Sequence, residues 1–184
     1  MPTNTIGTDG TITRDARSRY RQRAEGGARG AFEAETKRAG GAPRGETQIS
    51  RGKAPADLAE ILGDAGEVVV RQRRMFDGER LVQLADTFIP GFVAEAAPKV
   101  AQPDTGEGGI ISRMADAGLA QAEVVEDVAQ VPATAEQAEA LGVEAGALLL
   151  TITHVGRTED DRVVEVTRHV LGPGWTLRYG VPLT

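Results

Sequence analysis

The run Pro55-Ala-Asp-Leu-Ala-Glu-Ile-Leu-Gly63, followed by Ala65-Gly66 and Val68-Val69-Val70, decides how this chain is read, because a second run repeats its plan. Pro132-Ala-Thr-Ala-Glu-Gln-Ala-Glu-Ala-Leu-Gly142 is followed by Ala145-Gly146 and Leu148-Leu149-Leu150. Leu62-Gly63 and Leu141-Gly142 are offset by 79 positions, as are Ala59-Glu60 and Ala138-Glu139. Each run carries an acidic residue near its start and a glycine just past its end, the asymmetry expected of a helix. Each then enters β-rich sequence. Strands 67–76 and 80–89 flank Asp77-Gly78, a hairpin signal, and Pro90 ends the second because it lacks a ladder donor. Strands 147–156 and 163–171 form the matching hairpin. A duplicated helix–Gly–hairpin unit predicts one pseudo-symmetric sheet with a pocket where the halves meet.

Outside the repeat, a short helix or strand is expected around Phe32 and a strand at 45–51. A Pro-containing loop spans 98–107, ahead of a helix from Gly109 to about Ala117. A strand at 121–131 precedes the helix 134–141, capped by Thr134, and a last strand covers 175–180. The total is α+β with a mostly antiparallel sheet. Residues 1–13 read as a disordered start. Residues 14–29 carry Arg14, Arg17, Arg19, Arg21, Arg23 and Arg29 among Gly and Ala, with Tyr20 the one aromatic. Without a stacking platform this basic stretch reads as a solvated linker rather than a nucleic-acid arm. The expected division is therefore an arm over 1–27 and a folded domain over 28–184.

At 184 residues the chain can bury a substantial core. It has no cysteine, which rules out a disulfide framework and fits a cytoplasmic location. No apolar run approaches the roughly 18 residues of a membrane span, and no signal-peptide core is present. Residues 1–56 hold 11 Lys/Arg against 6 Asp/Glu, whereas the remainder holds 10 against 21. So acidic a body is unsuited to gripping phosphate backbones. There is no phosphate-binding loop and no nucleophile elbow, two histidines without cysteine give little support for zinc, and no cofactor is implied.

Several local words, in order, resemble the UTRA domain, the effector-binding part of GntR-type transcription regulators of the HutC subfamily. They are Arg71-Gln-Arg73-Arg74, Leu84 to Pro90, Gly108-Gly109, Ala135 to Gly142 and Val163-Val164-Glu165. Ser18-Arg19-Tyr20-Arg21 and Ala28 to Phe32 resemble the linker that enters this domain in actinobacterial members. The resemblance implies a chorismate-lyase-like fold, a small-molecule pocket, homodimerisation, and DNA binding through an N-terminal winged helix-turn-helix. Residues 1–27 are too few and too Gly/Arg-rich for that module, so the chain is expected to lack it.

Strand parity puts Val69, Arg71, Arg73 and Met75 on one face, and two arginines spaced by two suit a carboxylate or phosphate. The family commonly has an Arg-x-Arg pair here; its first member falls on Arg73 and its second on Met75, leaving Arg71 as a substitute. Gly108-Gly109 at a helix start is a candidate anion cradle, with Ser112 one turn on as the hydroxyl that the family often places at the second glycine. Arg168 stands in the apolar row Val164, Val166, Val170, so it needs an anionic partner from an effector or from the fold. The family often has Glu at that spot and at Ala85 in its sugar sensors, so the expected effector is a small anionic metabolite rather than an amino-sugar phosphate. Parity places Glu165 and His169 outward. His154 reads as a hydrogen-bonded residue or a ligand contact, and Tyr179, with Trp175, as core or pocket wall.

Three functions fit these residues. The first is a non-enzymatic effector-binding domain that couples ligand and DNA affinities. The second is a standalone module that dimerises with full-length regulators. The third is a chorismate-lyase-like enzyme with Glu165 as its acid or base.

Overall fold

In the computed structural model, which describes residues 11–20, 27–63 and 66–181, the repeat becomes two β–α–β–β units sharing one sheet. The chain enters through β1 (Ile12–Asp15), a helical turn α1 (Ala16–Arg19) and helix α2 (Ala31–Arg38). The first unit is β2 (Pro43–Lys53), α3 (Ala56–Leu62), β3 (Glu67–Asp77) and β4 (Arg80–Pro90). Helix α4 (Gly91–Ala96), a 3-10 turn at Pro98–Ala101 and helix α5 (Gly109–Asp116) lead to the second. It comprises β5 (Glu123–Pro132), α6 (Ala135–Leu141), β6 (Leu148–Arg157) and β7 (Val163–Leu171), and β8 (Trp175–Arg178) follows. The repeat thus includes a strand ahead of each helix. Ala65, part of the first copy, lies outside the described residues, as do residues 1–10, Arg21 and Arg23.

The six strands are ordered β2-β3-β4-β7-β6-β5, every neighbouring pair antiparallel. An approximate two-fold axis therefore passes between β4 and β7. One face is covered by the two repeat helices. Leu58 and Leu62 of α3 pack with Val68, Phe88, Val155 and Val166, and Ala138 and Leu141 of α6 with Phe76, Leu81 and Leu149. Each buried leucine contributes about 1.5–3 kcal/mol. The coverage is crossed: α3 lies on β7, and α6 lies on β4. Thr134 and Gln137 close a capping box at the start of α6, and both helices stop at a left-handed glycine, Gly63 (φ 59°) and Gly142 (φ 65°).

The opposite face carries α4, the 3-10 turn and α5, which bury Val69 and Ile89 with Val93, Val100 and Met114. Pro90 ends β4 as expected, and helix α4 begins directly after it with the proline at its N-cap. The expected loop at 98–107 begins with the 3-10 turn.

Residues 11–20 differ most from expectation. They form a strap, not a solvated linker. β1 pairs in parallel with β8, Ile12 is 1% exposed, and the Arg14 and Arg19 side chains are buried. Their partners are Glu126 and Glu35, the first more than a hundred residues away, so no local pattern announces them. Among the described residues no helix is long and apolar enough to cross a membrane.

Candidate functional site

The strap-side face of the sheet is polar at its centre. One cross-strand row reads Ile49, Arg71, Thr87, Thr167, His154, Glu126 across all six strands. The next reads Thr47, Arg73, Ala85, His169, Ile152, Val128. Above these rows lies a cavity of about 580 Å³. The sheet forms its floor; the start of α2, the segment from Pro103 to Ile111, and Arg19 and Tyr20 of the strap form its walls.

The first unit supplies the cations. Arg71 is 3% exposed and its guanidinium donates to the carbonyls of Val100 (2.6 Å), Gln102 (2.5 Å) and Pro103 (3.3 Å). It therefore pins the connection that walls the cavity. Burial lowers its pKa to about 10, a trend that Glu165 opposes. Arg73 is held differently. Its Nη2 donates to the Thr87 hydroxyl at 2.7 Å, its Nε has no acceptor, and no carboxylate among the described residues pairs with it. Burial, then the neighbouring Arg71, lower its pKa to about 10 as well. It stays cationic at neutral pH and lines the cavity without a directly paired carboxylate, Glu165 and Asp86 favouring its charge from farther away.

The second unit supplies a carboxylate and two imidazoles. His154 Nε2 lies 2.9 Å from Glu165 Oε1, and its Nδ1 lies 3.8 Å from Glu126 Oε1. Burial disfavours its charge, but the two carboxylates outweigh that and raise its pKa. Burial likewise disfavours the Glu165 anion, but His154, with a 2.9 Å bond from Gln121, holds its pKa below the ordinary carboxylate value. His169 behaves oppositely. Its Nδ1 lies 3.0 Å from Gln83 Nε2, and burial, with Arg14, Arg19 and Arg73 nearby, drives its pKa well down. A hydroxyl pair, Thr87 with Thr167 at 2.7 Å, joins the two units at the floor.

The structure brings Arg71, Arg73, Gly108, Gly109, His154 and Glu165 to the cavity and leaves three expected residues elsewhere. Arg168 is on the helix face, paired with Asp57 in the first turn of α3. Apolar Val164 and Val166 belong to the packed faces, so the alternate set, Glu165, Thr167 and His169, is what β7 turns to the cavity; the outward placement of Glu165 and His169 is corrected. Tyr179 is half exposed and donates to Glu126 at 3.2 Å, outside the cavity. Ser112 is buried with an unpartnered hydroxyl, but it does not line the cavity.

The two glycines fit only partly. Gly109 has φ 68°, and a Cβ there would stand 2.7 Å from the Arg29 carbonyl, so the close approach requires glycine. Yet the Gly108 amide donates to Ala28 and the Gly109 amide to Gly106, so neither is a free anion donor. Ile110 and Ile111 follow at the cavity wall, in the first turn of α5, where helix amides have no intrahelical acceptor. Sequence reasoning missed Arg19, Tyr20, Thr47 and Thr167; of these only Tyr20, the lone aromatic of the basic arm, gave a signal. No group of three His, Cys, Asp or Glu among the described residues could hold a metal ion.

Residues 46–172 match the UTRA domain. No curated protein matches the sequence. Among solved structures, a chain assigned to the GntR family of transcriptional regulators superposes with a TM-score of 0.76 at 22% identity, covering 94% of this chain and 69% of that one. PhnF from Mycobacterium smegmatis gives 0.70 at 19% identity, with 94% and 73% covered. The effector domain of that protein alone gives 0.66 at 20%, with 84% and 97% covered. At such identities the likeness establishes the fold.

Proposed function

The chain belongs to the UTRA domain family, and from that premise we propose that it is a ligand-sensing domain of a GntR-type, HutC-class transcription regulator. Its cavity takes a small anionic metabolite, and occupancy modulates DNA binding by a winged-helix reader. The observation that carries this is Arg73, a cation at the cavity floor with no directly paired carboxylate, in a cavity that the first turn of α5 also lines. An anion there would receive a planar guanidinium and helix-terminal amides together. The cavity volume of about 580 Å³ suits a metabolite. The role is non-enzymatic: Glu165 is held as an ion by His154 and Gln121 rather than poised to exchange a proton. The domain works as a homodimer, for which the unpaired edges β2 and β5 are available; β5 exposes Val125, Val128 and Val131.

The test is a thermal-melt panel of phosphosugars, dicarboxylates, amino acids and nucleotides. A ligand at ~100 times its dissociation constant adds about 2.7 kcal/mol, and Arg73→Ala abolishes that shift. A shift that survives Arg73→Ala would sink the anion site. Sedimentation of the purified chain checks the dimer.

A further inference from the structure

The strap lies outside the matched span, which begins at residue 46, yet two of its side chains line the cavity. The Tyr20 ring stacks on His154 with centroids 4.7 Å apart and planes 19° from parallel. Its hydroxyl donates to Glu126, and Arg14 bonds both that hydroxyl and Glu126. Arg19, in the wall beside it, pairs with Glu35 of α2. Upstream, only four residues of β1 pair with β8, in a two-stranded ribbon separate from the main sheet. A ribbon of that size is marginal alone, so Ile12 and these polar ties help to keep the strap seated. The ties to Glu126 and the stack on His154 lead to the same buried network that ends at Glu165 in the cavity wall.

We propose that the strap completes the effector site: Arg19 and Tyr20 are binding determinants, and seating of residues 12–20 and occupancy of the cavity favour one another. This rests on reading the cavity as an anion-binding effector site. A ligand that draws on His154 or Glu165 alters the platform on which Tyr20 stacks, and a strap lifted from that platform opens one wall of the cavity. Since linkage is reciprocal, an anion that stabilises the closed wall also stabilises the seated strap.

The chain offers two reporters. Trp175 is the sole tryptophan and pairs with Ile12, so its emission follows strap seating. There is no cysteine, so Thr47→Cys places a single thiol at the cavity wall, whose labelling by a small disulfide reagent measures access. Inorganic phosphate is the anion probe. With Tyr20→Ala added, labelling quickens about fivefold or more, the Trp175 emission shifts, and phosphate binds about fivefold more weakly, the lower end of ordinary coupling. Tyr20→Phe keeps the stack and loses the hydroxyl ties, so it moves all three readouts the same way by less. It also carries the test should Tyr20→Ala fail to fold.

Arg73→Ala weakens phosphate but, in phosphate-free buffer, leaves the Trp175 emission unchanged, which separates the two ideas. If phosphate binds through Arg73 while the Tyr20 variants change neither labelling nor affinity, the strap proposal is overturned and the anion site stands. If the Tyr20 variants open the cavity but phosphate binds nothing, the strap stands as a wall and the anion reading falls. If they leave labelling and emission as they were and phosphate does not bind, both fall.

Discussion

The two β–α–β–β units share a backbone plan and differ in what they turn towards the cavity. The first presents Arg71 and Arg73; the second presents His154 and His169 across the same rows, with Glu165 two residues from Thr167 on the same strand. Duplication fixed strand order, hairpins and helix caps, whereas the chemistry of the floor is set by which residue types occupy alternate positions on four central strands. A cationic half beside an acid–imidazole half makes a polarised cavity. The two halves also differ in how complete they are: the second pairs His154 with Glu165, and the first holds Arg73, whose one hydrogen-bond partner is a neutral hydroxyl. Under the proposed function, the incomplete unit is the one that takes the ligand.

The largest effect that would test this contrast comes from the paired half. Glu165→Ala removes the partner of both His154 and Gln121 in a buried setting, and unfolding in urea should show a loss of about 3–5 kcal/mol. A loss under about 1 kcal/mol would mean that the network is not a structural unit. The unpaired half predicts the opposite sign. Arg73→Leu replaces an enclosed cation that lacks a carboxylate, so the ligand-free protein should gain about 1 kcal/mol while anion-induced shifts disappear. A destabilised Arg73→Leu protein would show that the guanidinium already has its counter-ion.

The two histidines sharpen the contrast through pH. The folded pKa of His154 is raised, so its contribution is full below the unfolded value near 6.5 and fades as pH rises through the folded value. His169 is depressed, so its contribution is present above that unfolded value and is lost as pH falls towards the folded one. Melts between pH 5 and 8 should therefore show the penalty of His154→Gln growing as the solution is acidified and that of His169→Gln shrinking. Parallel curves would refute the assignment. The smallest effect is expected on the helix face. Arg168→Ala breaks an exposed pair with Asp57, so stability should change by less than about 1 kcal/mol and ligand shifts not at all.

The fold is legible in sequence where its signals are local: Gly63 and Gly142 past their helices, Thr134 at a cap, Gly78 in a hairpin turn. Parity alone also places Arg71 and Arg73 together on β3. It fails on β7, because parity separates two faces without saying which one the helices will cover. Arg168 looks exceptional in an apolar row, but its neighbours Val166 and Val170 pack under α3 and α6, and Asp57 of α3 answers the charge. The strap is illegible for a different reason. Arg14, Arg19 and Tyr20 look like solvated linker chemistry until Glu126, Glu35 and His154 come to them from elsewhere in the chain.

The crossed coverage of α3 on β7 and α6 on β4 gives the molecule the logic of an obligate heterodimer written on one chain. A cut in the 118–122 segment yields two fragments, each with a helix whose central-strand neighbour lies on the other piece. Neither fragment is a smaller version of the whole, and mixing the two should restore one cooperative melt. A duplication arranged side by side would leave two separable modules; arranged crosswise, it leaves a single one.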